Sequence, residues 1–158
     1  MKLHNKKFLH FFSFLIVYLA LYSCKSTAVE FYYNDKTEKT QYEKMAEESY
    51  FSTVPKGQQK TDKDVLVIFN GSAFNGKTII INKKDSLLFD LPPDPPGCYG
   101  ILFKKIPKST KKIRLSVEGK KDVFIPIISK YDYIDIGDAT KTKWGVNYSK
   151  NFPSYFCM

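Results

Sequence analysis

From Asp62 onward apolar residues recur with a period of two, in short β-branched and aromatic runs broken by turn residues. Expected strands are Asp64 to Phe69, Thr78 to Asn82, Ser86 to Leu91, Cys98 to Phe103, Lys112 to Glu118, Asp122 to Ile128, Tyr131 to Ile136 and Thr142 to Tyr148. "NGSAFNGK" places Asn-Gly twice as turn signals between the first two, and "EGKKD" supplies a glycine turn between the fifth and sixth. Strands spaced about 8 to 12 residues apart without helices between them give an all-β fold. The expectation is a small antiparallel β-sandwich, immunoglobulin-like or transthyretin-like. A transmembrane barrel needs strands of about 9 to 11 residues; "TIII" and "SLLFDL" fall short.

The start of the chain carries a different signal. Lys2, Lys6 and Lys7 precede an apolar run, Phe8 to Leu21, shorter than the roughly 20 residues of a spanning helix. This reads as a cleaved signal peptide, residues 1–23. It ends in Leu21-Tyr22-Ser23-Cys24, which resembles the lipobox of bacterial lipoproteins: an aliphatic residue three before the cysteine, a small residue one before it, then Cys. Tyr22 departs from the family pattern, where a small residue is usual. The resemblance implies that Cys24 becomes the first mature residue, bearing a diacylglycerol and an N-acyl chain such as palmitate. Two acyl chains already anchor a protein stably. The bland reading is a secreted protein, or an uncleaved anchor, with Cys24 as a spare thiol. Lys25 is not the aspartate that retains lipoproteins in the inner membrane, so the resemblance implies the outer membrane. No acidic cluster follows Cys24, which favours the periplasmic face over the cell surface. The chain also resembles, in architecture and in its lysine-rich, arginine-poor composition, small uncharacterised β-sandwich lipoproteins of the Bacteroidetes.

Removing the signal lowers the formal charge from +9 to +6. Residues 24–60 hold six lysines against six acids, so the excess lies in 61–158. Both histidines, His4 and His10, leave with the signal. The mature chain then lacks imidazole, which removes Ser-His-Asp and Cys-His catalysis and His-containing zinc sites. No metal or cofactor is expected, and Asp132 and Asp135 of "YDYIDIGD" fall on opposite faces of a strand. The other cysteines, Cys98 and Cys157, suit a disulfide in an oxidising compartment, worth on the order of 4 kcal/mol in the chain-entropy model. The alternative is two buried thiols.

Residues 24–60 read as a lipidated N-terminus and polar tether, preceding a domain over 61–158. Within the tether, Tyr42, Met45, Ala46 and Ser49 share one face of a short helix. Two features of the domain could bind. Lys104, Lys105, Lys108, Lys111, Lys112, Arg114, Lys120 and Lys121 are expected to form one basic ridge, facing lipid phosphate, an anionic glycan or an acidic protein. Protection of a strand edge by lysine is the plainer account. Pro92, Pro93, Pro95 and Pro96 stiffen a loop that is pre-organised for docking. The aromatic end of the chain, including Trp144 and Tyr148, is expected to be core. These readings point to a non-enzymatic, membrane-tethered binding or assembly module of the cell envelope, with no nucleic-acid partner. The alternative is a periplasmic inhibitor or immunity-type lipoprotein blocking a hydrolase or toxin through the proline loop.

Overall fold

A computed structural model describes residues 28–90, 100–140 and 143–154. In chain order the elements are β1 (Ala28–Asn34), α1 (Gln41–Thr53), β2 (Asp64–Asn70), α2 (Gly71–Phe74), β3 (Lys77–Ile81), β4 (Asp85–Phe89), β5 (Ile101–Pro107), β6 (Lys112–Val117), β7 (Val123–Pro126), β8 (Tyr133–Thr140) and β9 (Lys143–Ser149). A 3-10 turn, Lys56–Gln58, follows α1.

Two sheets stack as a sandwich. One is five-stranded in the order β1-β9-β8-β2-β5; the other is four-stranded, β4-β3-β6-β7. The small sheet is antiparallel throughout, whereas in the large one β1 pairs with β9 and β2 with β8 in parallel. A parallel pair needs a long connection. Between β2 and β8 that connection holds the entire second sheet and strand β5.

The eight expected strands are present, with ends shifted by up to four residues. Period-two alternation gave their faces directly: Ile113, Leu115 and Val117 of β6 and Trp144, Val146 and Tyr148 of β9 are all buried between the sheets. The Tyr148 hydroxyl donates to the Pro126 carbonyl at 2.7 Å, joining β9 of one sheet to β7 of the other. Trp144 stacks on Phe74 with ring centroids 5.0 Å apart.

The segment read as a tether is corrected. Residues 28–60 contain β1 and α1, both built into the domain. β1 is an edge strand whose Val29 and Phe31 pack on the core while Glu30, Tyr32 and Asn34 take the opposite face. Its period of two lies inside a polar composition, and the composition hid it. Helix α1 begins at a capping box: Thr40 N donates to Glu43 Oε2 at 2.7 Å, and Glu43 N donates to Thr40 Oγ1 at 3.2 Å. Such a cap is worth about 1 kcal/mol. The helix ends at Val54, before Pro55, because the residue preceding proline disfavours the helical conformation.

The face that α1 buries also differs from the expected one. Ala46, Tyr50 and Val54 pack on Leu66, Ile68, Tyr133 and Phe152, while Tyr42 and Met45 are exposed. Tyr50 carries the largest apolar area available to this side of the helix, and burying such a side chain contributes about 1.5–3 kcal/mol. β2 therefore sits in the middle layer, with Val65, Val67 and Phe69 in the inter-sheet core and Leu66 and Ile68 under the helix.

The expected turn between β2 and β3 is likewise no hairpin. The two strands belong to different sheets, and α2 carries the chain across, its start capped by Asn70, whose side chain accepts from Ser72 N at 2.9 Å. The turn at Gly119, with φ +74°, does close a β6–β7 hairpin as expected.

Candidate functional site

The expected basic ridge is divided by the fold. Lys104 and Lys105 lie on β5, at the edge of the five-stranded sheet, and alternation sends them to opposite sides. Lys104 reaches across to Asp85 of the other sheet at 3.2 Å. Lys105 donates to the carbonyls of Gly57 and Gln59 at 3.2 and 3.1 Å, fastening the turn that follows α1. Lys108 pairs with Asp132 at 2.8 Å, where Lys60 also arrives at 3.0 Å. These three cations hold the domain's own parts together.

Lys112 and Arg114 belong instead to β6 of the four-stranded sheet, Lys111 directly precedes it, and Lys120 and Lys121 lie in the turn after β6. Arg114 pairs with Asp122, and Lys112 lies over the Phe124 ring at 4.9 Å. Hydrogen bonds from Ser116 and then Arg114 hold the Asp122 carboxyl below the usual range. Lys120 lies over the Trp144 indole at 3.7 Å.

The outer face of this small sheet has no helix upon it among the described residues. β3 and β4 contribute Ile80 and Leu88, and β7 contributes Phe124, respectively 39%, 62% and 54% exposed. Arg114 is paired in register with Phe124, and Lys112 with Pro126. The β3–β4 turn adds exposed Lys83 and Lys84, with Asn82 and Lys83 at φ of 53° and 59°. These left-handed values suit the twist of a tight hairpin. In register Ile80 lies between Ser86 and Ser116, Leu88 beside Thr78 and Phe124 beside Arg114, so the face carries three separate exposed apolar side chains among polar and basic ones.

The opposite side of the molecule is chemically different. α1 covers β2 and β5 and reaches Tyr133 at the start of β8, leaving the rest of the β1–β9–β8 face open. There a groove of about 350 Å³ is lined by Tyr32, Asn34, Glu43, Asp135, Asn147 and Ser149, among others. In register, Tyr32, Asn147 and Asp135 form one row across three strands, and Asn34, Ser149 and Tyr133 the next. Tyr32 donates to Glu30 Oε2 at 2.6 Å, so its ring runs along β1. Hydrogen bonds from Lys143, then Tyr32, keep the Glu30 carboxyl below its ordinary range. Ser149 donates to the Asn151 carbonyl, and buried Asn151 donates to Glu38 O at 2.9 Å, which fixes the end of the groove.

Sequence reasoning missed this groove because it treated β1 as tether. The usable signal was the alternation of Val29, Phe31 and Tyr33 with Glu30, Tyr32 and Asn34. Cys24, Cys98, Cys157 and the proline loop with Pro92, Pro93, Pro95 and Pro96 lie outside the described residues. Among the described residues no three of His, Cys, Asp and Glu gather to hold a metal ion, and no helix is long and apolar enough to cross a membrane. No protein-family model, curated protein or solved structure matches the chain.

Proposed function

We propose that the protein is an outer-membrane lipoprotein, anchored through Cys24 on the periplasmic side, whose sandwich is a non-enzymatic binding or assembly module of the cell envelope. The observation that carries this reading is the uncovered face of the four-stranded sheet, where Ile80, Leu88 and Phe124 are exposed between Thr78, Ser86, Ser116 and Arg114, with Lys83, Lys84 and Lys112 around them. Exposed apolar side chains interspersed with lysines suit an anionic phospholipid surface: the ring and branched chains enter the interface while lysine stems reach the phosphates. Each lysine near such a surface contributes about 1 kcal/mol, less at high salt.

The short spacer supports the same reading. Only Lys25, Ser26 and Thr27 separate Cys24 from β1, so a lipidated Cys24 lies no more than about 14 Å from the sheet when that stretch is extended. The domain is then held against the membrane, where a second, weak contact acts at high effective concentration.

Hydrogen exchange of the mature acylated protein tests the proposal in vesicles with and without phosphatidylglycerol. Amides of β6 and β7 should be protected only in the anionic vesicles, and the protection should vanish in a Lys111→Glu, Lys112→Glu, Phe124→Ser protein. Identical exchange in both vesicle types rejects this face as the contact surface.

A further inference from the structure

We infer that the groove on the outer face of the five-stranded sheet is a binding site for a neutral, hydroxyl-rich glycan chain, with Tyr32 as its stacking platform and Asn147 and Asp135 as its hydrogen-bonding floor. The inference takes from the proposed function only that the domain binds rather than cleaves. It concerns the opposite face and does not depend on the lipid contact.

Ligand charge is decided by what lines the groove. The chain is strongly basic, yet the described lining contains two carboxylates, Asp135 and Glu43, and no lysine or arginine. A phosphate or uronate would meet like charge in this lining, while Lys143, beside Tyr32, is held by Glu30. A neutral polyol meets acceptors and donors together: carboxylate oxygens accept its hydroxyl protons, and the Asn147 and Asn34 amides can do both. Asn147 Nδ2 stands 3.5 Å from Asp135 Oδ2, a long contact that a bridging hydroxyl group would improve.

The shape agrees with the chemistry. Neighbouring strands place side chains about 4.8 Å apart, and successive same-face positions on one strand about 6.8 Å apart, a grid comparable to the hydroxyl spacing on adjoining pyranose rings. Tyr32 is 48% exposed, and its hydrogen bond to Glu30 holds the ring along the strand. A preset ring loses little rotamer freedom on stacking against a sugar face. The groove is open, as a polymer requires, and its volume of about 350 Å³ has room for one or two sugar units. A peptide would instead be drawn to the backbone of a free strand edge.

The test uses the whole mature protein and a panel of neutral tetrasaccharides: cello-, chito-, laminari- and mannotetraose. Polygalacturonate and spermidine serve as the anionic and cationic comparisons. Calorimetry should find at least one neutral tetrasaccharide that binds, with affinity lowered about ten-fold or more by Tyr32→Ala and by Asn147→Ala, about 1.4 kcal/mol each. Tyr32→Phe should retain most of the affinity, because the ring stays while the Glu30 contact goes, and this variant guards against misreading a folding defect. Three results would overturn the inference: binding of spermidine or polygalacturonate alone, binding of none of the probes, or binding indifferent to both alanine variants. Release of shortened sugars would leave the site standing and defeat the non-enzymatic reading instead.

Discussion

The Tyr133 hydroxyl donates to Glu47 Oε1 at 2.7 Å across 86 positions of sequence, and so ties helix α1 to strand β8. Burial first, and the hydrogen bond to Glu47 second, raise the Tyr133 pKa well above the ordinary tyrosine range. The phenol therefore remains a donor wherever the protein is folded. Tyr133→Phe keeps the ring against Phe152 and removes only the bond. Glu47 retains its contact with Lys39 and is not orphaned. The expected cost is about 1 kcal/mol in urea melts.

A second expectation concerns acid. Desolvation raises the Asp132 pKa, but hydrogen bonds from Lys108 and Lys60 together outweigh it, and the net shift is downward. A depressed carboxylate stabilises the fold fully above its ordinary value of 3.8 and loses that contribution as pH falls through the lower folded value. Asp132→Asn should therefore be less stable than the native protein near neutrality, and the gap should close below that range. A gap unchanged down to the acid limit would mean that the two lysines do not hold Asp132 in its charged form.

The middle layer predicts an asymmetry between two isoleucines. Ile68 is fully buried beneath α1, whereas Ile80 is 39% exposed on the uncovered sheet. Ile68→Ala should cost about 2–5 kcal/mol through lost burial and a cavity, and Ile80→Ala about 0.5 kcal/mol or less. Chemical denaturation of the two variants compares them directly, and equal losses would mean that α1 does not cover β2.

Processing at Cys24 offers a fourth check. Mass spectrometry of the mature protein should find an acylated cysteine as its first residue. Cys24→Ala should block that maturation and retain the uncleaved signal. A Cys24→Ala protein cleaved normally and still sedimenting with membranes would reject lipid anchoring.

The lysine-bearing face of the small sheet and the polar groove of the large one lie on opposite outer faces of one sandwich, so the proposed lipid contact and the proposed glycan site would not compete for the same surface. The charge separation arises from pairing. Lys104, Lys105 and Lys108 are consumed by Asp85, by two carbonyls and by Asp132, leaving Lys112 over Phe124.

Strand positions and their inward faces were legible in the sequence, because alternation is a local property: Trp144, Val146 and Tyr148 must face one way whatever they face. The run Val65 to Phe69 was expected only as a strand, and the structure buries it on both faces, as its unbroken apolar sequence allows. What covers it was decided only by the tertiary structure. The sequence of α1 is weakly amphipathic, and Tyr50 selects its buried face by fitting over Leu66 and Ile68. β1 likewise becomes a strand because β9 offers it an edge, its aromatic alternation lying inside a polar stretch that reads as a linker. The lysines between 104 and 121 read as one ridge along the chain but divide between two sheets, since strand pairing and the carboxylates that meet each cation are long-range relationships that local periodicity does not encode.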